Sequence, residues 1–251
     1  MPPELGLRAR GLRHRWAGRL VLEGLDIDVQ PGEVVGLLGP NGAGKTTAFQ
    51  IIAGLVRAER GEVWLDAQPL GDLPLWRRAR RGLGYLPQRP SLIRGLSVAE
   101  NLRVPLEARG ARAGEARRVV AQRLADAGLG ALTGAAAETL SGGERRRVEL
   151  VRCLLTDPRV VLLDEPFAGV DPVAVHDLQG RIRSLAARGL AVLITDHAVH
   201  ATLPVCDRAV VLDAGAVMAS GTPHDVAADP TVRARYLGPH FALEPSAERP
   251  D

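Results

Sequence analysis

Eight residues near the amino end combine three glycines with a lysine and a threonine. The segment Gly39-Pro40-Asn41-Gly42-Ala43-Gly44-Lys45-Thr46 fits the pattern GxxxxGK[ST]. In such a loop the backbone N–H groups point inward at phosphate oxygens, the lysine reaches the β and γ phosphates, and the hydroxyl can bind Mg²⁺. These residues therefore predict a loop that binds a nucleoside triphosphate with Mg²⁺. The alternative is a glycine-rich turn with no ligand.

Lys45 is the only lysine among the 32 basic residues of the chain, and all the others are arginine. A compact ammonium on a flexible stem can enter a narrow phosphate cradle in which a planar guanidinium would clash. The single exception to the arginine bias therefore supports Lys45 as the phosphate ligand.

Two adjacent carboxylates, Asp164 and Glu165, follow the apolar run 160–163. Ligands of open α/β sheets bind at the carboxyl ends of the strands. We expect Asp164 to hold Mg²⁺ and Glu165 to polarise the water that attacks the γ phosphate. A pair of surface carboxylates at a strand end is the alternative.

A serine and two glycines precede a further helical pattern, in Leu140-Ser141-Gly142-Gly143-Glu144. Alone, this sequence is a common turn or helix cap, but it can also form a second anion cradle at a helix start. One nucleotide does not need two complete cradles from one chain. The two cradles therefore predict head-to-tail pairing of two copies, with ATP between them.

Alternating apolar and helical patterns indicate how these residues are positioned. A strand over 32–38 precedes the phosphate loop, and a helix follows it to Gly54. Apolar runs recur at 190–194 and 209–212, with Asp213-Ala214-Gly215 as a hairpin turn. This pattern predicts a mainly parallel sheet with helices on its faces. Residues 20–29 and 61–66 alternate like strands of an antiparallel layer.

A different pattern fills residues 88–157, where helices are predicted over 98–108, 116–127 and 144–156 with glycine-rich breaks between them. We interpret this segment as a helical insertion. The predicted organisation is one domain over 1–240, with its core in 1–87 and 158–240, a helical subdomain in 88–157 and a frayed tail in 241–251.

The order of these motifs, followed by Thr195-Asp196-His197, resembles that of ABC transporter ATPases over nearly the whole chain. The resemblance implies a P-loop NTPase fold in which Gln88 contacts Mg²⁺ and water, Asp171 joins two sites and His197 senses the γ phosphate. It also places Trp16 against adenine and Thr47 among the nucleotide ligands. A packed core indole and a hydrogen-bonded buried histidine are the alternatives for Trp16 and His197.

Within that family, five segments are similar to the ATPase subunits of lipopolysaccharide exporters. The similarity implies that Leu92, Ile93 and Arg94 lie in a pocket that receives a membrane partner. Ile93 stands where these subunits usually have phenylalanine, and Ala198, His200 and Ala201 replace more polar residues. The similar segments are 85–88, 140–149, 164–172, 194–197 and 236–241.

Three other functions share the catalytic motifs. They are a branched-chain amino-acid importer subunit, a soluble ABC ATPase serving iron–sulfur assembly or DNA repair, and an ATP-binding scaffold without turnover. The intact Lys45, Glu165 and His197 argue against the scaffold.

Composition disfavours several other classes of protein. A net charge of +3 and 3% aromatic residues disfavour a nucleic-acid surface, and two separated cysteines, Cys153 and Cys206, disfavour a disulfide or zinc framework. For the arginine runs 77–81 and 145–147 we predict solvated helix faces, and a surface that meets anionic lipid head groups or a membrane partner is the alternative. No apolar stretch approaches the length of a membrane span, and residues 1–4 do not begin an export signal. We therefore expect a cytoplasmic protein. The resemblance to ABC transporter ATPases implies that it is peripheral at the inner membrane and works with integral permease subunits, and the two cradles predict that it pairs with its own copy.

Overall fold

Strands in the computed structural model, which describes residues 6–243, form two sheets. The smaller sheet is antiparallel, with the strand order β2-β1-β4-β5, and the larger has the order β10-β9-β3-β8-β7-β6. The strands of this region are Leu7–Trp16 (β1), Arg19–Val29 (β2), Val34–Leu38 (β3), Arg60–Leu65 (β4), Gln68–Pro69 (β5), Leu83–Leu86 (β6), Val160–Asp164 (β7), Ala191–Thr195 (β8), Arg208–Asp213 (β9) and Ala216–Gly221 (β10).

Helices separate most of these strands along the chain. Short 3-10 turns occur at Gly130–Leu132, Ala137–Thr139 and Leu203–Val205, and a π-helical turn at Arg233–Leu237. The α-helices of the described region are Lys45–Ala53 (α1), Leu75–Arg80 (α2), Val98–Glu107 (α3), Ala113–Asp126 (α4), Gly142–Leu154 (α5), Pro172–Ala187 (α6), Val199–Thr202 (α7), Pro223–Ala228 (α8) and Pro230–Val232 (α9).

The larger sheet is parallel except where β10 returns antiparallel to β9 through the turn at residues 214–215. Every residue of β3, β7 and β8 is buried, because both faces of the sheet are covered. Successive side chains of β7 enter different cores: Leu162 packs in the core that contains α1, and Val161 in the core that contains α6. The predicted mainly parallel sheet and antiparallel layer are confirmed.

Helices α3, α4 and α5 form a separate apolar cluster, which we call the helical layer. Val98, Leu102, Val120, Leu124 and Val148 are buried in it. The helix predicted over 116–127 begins three residues earlier, at Ala113, since Glu115 stabilises its first turn. The helix predicted from 144 begins at Gly142, because Ser141 and Glu144 cap each other.

Neither arginine run is wholly solvated, and the prediction of solvated faces is wrong for one residue in each. Arg78 and Arg146 are buried, while their neighbours are partly or fully exposed. Arg78 donates to the carbonyl oxygens of Ile51 and Ile52 at 2.9 and 2.8 Å, and also to those of Leu73 and Gly71 at 2.7 Å each. It thereby satisfies carbonyls at the end of α1, and burial lowers its pKa to about 10.

The ends of the chain are described only in part. Of the predicted tail, residues 241–243 are described, and Phe241 is buried beside Val232, with its ring centroid 4.5 Å from that of His200. Residues 244–251, together with 1–5, lie outside the described residues. Within 6–243, no helix combines the length and the apolar character needed to cross a bilayer.

Replacing Arg78 should destabilise the fold far more than replacing its neighbour. The change Arg78→Met leaves buried carbonyls at the end of α1 without donors, so we expect a loss of about 2 to 4 kcal/mol in the free energy of unfolding. Arg77→Met, on the exposed face of α2, is the control and should change it by less than about 0.5 kcal/mol. Urea unfolding at constant pH measures both, and equal values would contradict the structural role of Arg78.

Candidate functional site

The phosphate loop connects the end of β3 to the start of α1. Gly39 and Gly44 have φ angles of 139° and 106°. A Cβ atom at these positions would lie 2.1 Å from the Leu212 carbonyl oxygen and 2.6 Å from that of Val21. Only glycine therefore permits this close packing of the loop on the strands beside it.

Lys45 is buried at the inner side of the loop. Its Nζ donates to the carbonyl oxygens of Gly39 at 2.6 Å and Pro40 at 3.0 Å. Burial lowers its pKa, and the nearby charges of Glu165, Asp164 and Asp196 oppose that shift. The ammonium is thus held next to the loop backbone and the carboxylates at the strand ends.

Asp164 ends β7 with one carboxylate oxygen lacking any hydrogen bond. Its Oδ2 accepts from the Tyr85 hydroxyl at 3.1 Å, and its Oδ1 is buried without a partner. Burial raises the pKa of Asp164 to about 6, and the Tyr85 hydrogen bond opposes this. A buried, unpartnered carboxylate oxygen is suited to a cation.

Glu165 lies in the left-handed region, with φ of 47°, and its N–H donates to the Thr195 carbonyl at 2.7 Å. Its Oε2 accepts from Gln88 Nε2 at 2.8 Å and lies 3.3 Å from His197 Nδ1. The structure therefore brings together Gln88, Glu165 and His197, which lie far apart in sequence. A backbone held in this region costs about 1 to 3 kcal/mol, and such positions cluster at functional sites.

One buried arginine, which sequence reasoning missed, holds this group in place. Arg146 donates to the carbonyl oxygens of Asp164 at 2.8 Å, Glu165 at 3.0 Å and Pro166 at 3.2 Å. It also donates to the Pro87 carbonyl at 2.8 Å, one residue before Gln88. The helical spacing 143–146–150 could have indicated a buried face, because the flanking positions are Gly143 and Leu150.

The segment after Gln88 is fixed mainly through its backbone. Ser91 N–H donates to Glu149 Oε1 at 2.5 Å, and Glu149 Oε2 accepts from Arg146 at 3.2 Å. Asn101 binds both the N–H and the carbonyl of Ile93, at 2.7 and 3.0 Å. Of the predicted coupling residues, Ile93 and Arg94 are exposed, and Leu92 packs partly against the helical layer.

Trp16 lies beside the start of α1, with half of its surface exposed. Its Nε1 donates to Thr47 Oγ1 at 3.2 Å, and the ring of His14 meets the indole edge-on. The exposure excludes the alternative of a packed core indole. Thr46 is exposed in the first turn of α1, next to the loop.

The turn at Ser141 forms a second group of predicted site residues. Ser141 Oγ donates to Glu144 Oε2 at 2.7 Å and accepts from Glu144 N–H, which closes a capping box. A Cβ on Gly142 would lie 2.9 Å from the Gly169 carbonyl, and one on Gly143 would lie 3.0 Å from Ala174 Cβ. The turn is therefore packed on the segment that precedes and begins α6.

The two groups of residues stay separate within one chain. Asp171 caps α6 by accepting from Ala174 N–H at 3.0 Å. Among residues 6–243, no hydrogen bond or ion pair joins 141–144 to the phosphate loop 39–46. We call these two groups half-sites: one is the phosphate loop with the carboxylates beside it, and the other is the serine–glycine turn.

Comparisons with known proteins show the family of this chain. The family model described as "ABC transporter" matches residues 22–168. The chain is 48% identical over 237 residues to the lipopolysaccharide export system ATP-binding protein LptB of Acidithiobacillus ferridurans, covering 94% of this chain and 98% of that protein. It is 46% identical to the LptB of Escherichia coli, covering 94% and 99%, and 46% identical to an uncharacterized ABC transporter ATP-binding protein of Rhizobium meliloti, covering 94% and 88%.

Solved structures of ATP-binding cassettes also match the fold of this chain. The ADP conformation of an ATP-binding cassette of an ABC transporter aligns with a TM-score of 0.83 at 28% identity, covering 93% of this chain and 98% of that one. A nucleotide-free ATP-binding cassette aligns with a TM-score of 0.84, also at 28% identity, covering 93% and 99%. The chain belongs to the ABC transporter family, as one of its ATP-hydrolysing subunits.

Proposed function

We propose that this chain powers lipopolysaccharide export, as a pair of identical copies on the cytoplasmic face of the inner membrane beneath permease subunits. The observation that carries the paired mechanism is the separation of the two half-sites in one chain. The transported molecule is inferred from relatives that align over 98 to 99% of their own length and are 46 to 48% identical to this chain. These relatives are named for lipopolysaccharide export.

In this mechanism, the loop 39–44, Lys45 and Thr47 hold the phosphates, and Trp16 stacks on adenine through its exposed face. The loop N–H groups and the start of α1 provide positive potential, and the buried ammonium adds a full charge. Ser141, Gly142, Gly143 and Glu144 of the second copy close over the γ phosphate. Because closure requires both copies, ATP acts as the bridge between them.

The residues at the end of β7 fit Mg²⁺. Asp164 offers a buried oxygen with no hydrogen bond. The hydroxyl of Thr46 and the side-chain oxygen of Gln88 would be the other protein ligands. Within residues 6–243, no group of three or more His, Cys, Asp or Glu side chains could hold a metal alone. Mg²⁺ would therefore bind together with the phosphates, whose negative charge it neutralises.

Glu165 accepts the proton of the attacking water in this proposal. Gln88 and His197 both lie within reach of the Glu165 carboxylate and orient that carboxylate. His197 also contacts the γ phosphate. Asp171 at the start of α6 joins the two sites, because the Ser141 turn packs on that segment.

Coupling to the permease follows the chain of contacts from Glu165 outward. Arg146 connects the backbone of Glu165 to Pro87 and Glu149, and Glu149 binds Ser91, which is next to Leu92. A partner helix seated at Leu92, Ile93 and Arg94 would thus sense closure of the site.

Affinity purification from native membranes tests the association with permease subunits. Integral membrane proteins should copurify with the chain, whereas recovery of only soluble partners would contradict a transporter.

Depletion of the chain distinguishes the exporter from an importer. Loss of an exporter should hold newly made lipopolysaccharide in the inner membrane, measured by membrane fractionation. An unchanged outer membrane with slowed branched-chain amino-acid uptake would contradict export and support an importer.

Glu165→Gln should separate ATP binding from turnover. Loss of the base should lower ATP turnover at least ~100-fold, while the amide still permits ATP binding and pairing. Phosphate release and light scattering with saturating Mg²⁺-ATP measure the two effects, with the exposed Glu138→Gln as the matched control. A variant that turns over normally, or stays monomeric with ATP, would contradict the proposal.

Asp164 should make the nucleotide-free chain less stable as pH rises. Its folded pKa of about 6 lies above the ordinary 3.8, so the folded chain binds the proton more tightly. The contribution of Asp164 to the free energy of unfolding is fully present below about pH 4. It is lost as pH rises through about 6, which lowers the free energy of unfolding by on the order of 2 to 3 kcal/mol. Urea unfolding from pH 4 to 7 should show this slope flattened in Asp164→Asn and retained in the surface control Asp126→Asn. An unchanged slope in Asp164→Asn would refute the burial effect.

A further inference from the structure

A cleft of about 590 Å³ lies between the helical layer and the core. Helices α4 and α5 form one wall, and α6 forms the other. Its volume is within the range of about 300 to 1,000 Å³ typical of small-molecule sites. None of the residues that line it belongs to the nucleotide half-sites, so the nucleotide does not explain this cleft.

Part of the cleft wall is apolar. Leu150, Val151 and Leu154 contribute from α5, and Leu185 and Leu190 contribute from α6 and the residues after it. Val151, Leu154 and Leu190 remain only partly buried, although they contact the cores on either side. An alkyl chain placed here would remove this surface from water, which is favourable.

Two of the four arginines that line the cleft are already neutralised. Arg123 pairs with Asp157 at 2.7 Å. Arg181 pairs with Asp177 at 2.9 Å and donates to the Ala127 carbonyl at 3.1 Å.

The other two, Arg147 and Arg188, have unused donors. Arg147 reaches the shared Asp177 only at 3.8 Å, which is too long for a hydrogen bond, and its Nε is buried without an acceptor. The guanidinium of Arg188 makes no hydrogen bond or ion pair within residues 6–243. Three carboxylates lie beside these four arginines: Asp126 and Asp157 line the cleft, and Asp177 is shared by Arg147 and Arg181. The cleft therefore has an apolar wall beside one excess positive charge.

We propose that this cleft binds a single-chain anionic amphiphile, an alkyl chain ending in a phosphate or carboxylate. The chain covers Val151, Leu154 and Leu190, and the head group accepts hydrogen bonds from Arg147 and Arg188. A guanidinium matches the oxygens of either head group in a fork, which favours such anions over chloride. A neutral amphiphile would leave both arginines without acceptors, and a bare anion would leave the apolar wall in water.

The proposal is independent of ATP and is tested on the nucleotide-free chain. Isothermal titration uses dodecyl phosphate, dodecanoate and dodecyl maltoside, each below its critical micelle concentration, and inorganic phosphate. These probes separate the contribution of the alkyl chain from that of the head group. Dodecyl phosphate or dodecanoate should bind at one site per chain, at least ~10-fold more tightly than the other two probes. Preference between these two anions identifies the head group.

Variants locate the site. Arg188→Glu should weaken binding of the anionic probe at least ~10-fold, and Arg147→Gln should weaken it measurably. Arg118→Glu, an exposed arginine of α4 outside the cleft, is the matched control and should bind as the unmodified chain does. The ligand should also raise the midpoint of thermal unfolding of the unmodified chain and of Arg118→Glu, but not of Arg188→Glu.

Three results would overturn the proposal. They are absence of saturable binding, equal loss in Arg118→Glu and Arg188→Glu, and binding of inorganic phosphate or dodecyl maltoside as tight as that of dodecyl phosphate. Since Arg188 is exposed, a fold defect is not expected in its variant, and circular dichroism of each variant verifies this.

Discussion

Five hydrogen bonds from one buried guanidinium hold the residues around Glu165 together. Arg146 binds the backbone of three consecutive residues at the end of β7, the backbone before Gln88, and Glu149 on its own helix. Burying an arginine is costly unless its donors are satisfied, and here carbonyl oxygens satisfy most of them. Burial lowers the pKa of Arg146, while the charges of Glu149 and Asp164 oppose this. The position of Glu165 thus depends on α5 being docked against the sheet.

Helix α5 connects the residues around Glu165 with two other segments, the Ser141 turn and the segment at Ser91. Helix α5 begins at the Ser141 turn and carries Arg146 and Glu149 in its first two turns. Any shift of this helix therefore displaces the serine–glycine turn, the Glu165 backbone and the segment at Ser91 together. In the proposed mechanism, this helix would therefore couple pairing of the two copies to contact with the membrane partner.

Much of the core could be predicted from sequence, because its signals are local. The phosphate loop needs glycines at fixed spacing, and apolar runs of four or five residues ending in charges indicate buried parallel strands. Arg78 and Arg146 were missed because each lies in a run of arginines, where composition indicates a surface. Their acceptors are backbone carbonyls from distant segments, which carry no sequence signal. The unpartnered Asp164 oxygen likewise depends on tertiary packing.

The central claim is that each nucleotide is held by Lys45 of one copy and Ser141 of the other. The most direct test mixes two inactive chains, Lys45→Ala and Ser141→Arg, and measures phosphate release. A mixed pair contains one site with both residues intact, so turnover should recover to roughly a tenth to a quarter of that of the unmodified chain, given random pairing. A mixture no more active than its separate components would contradict the account.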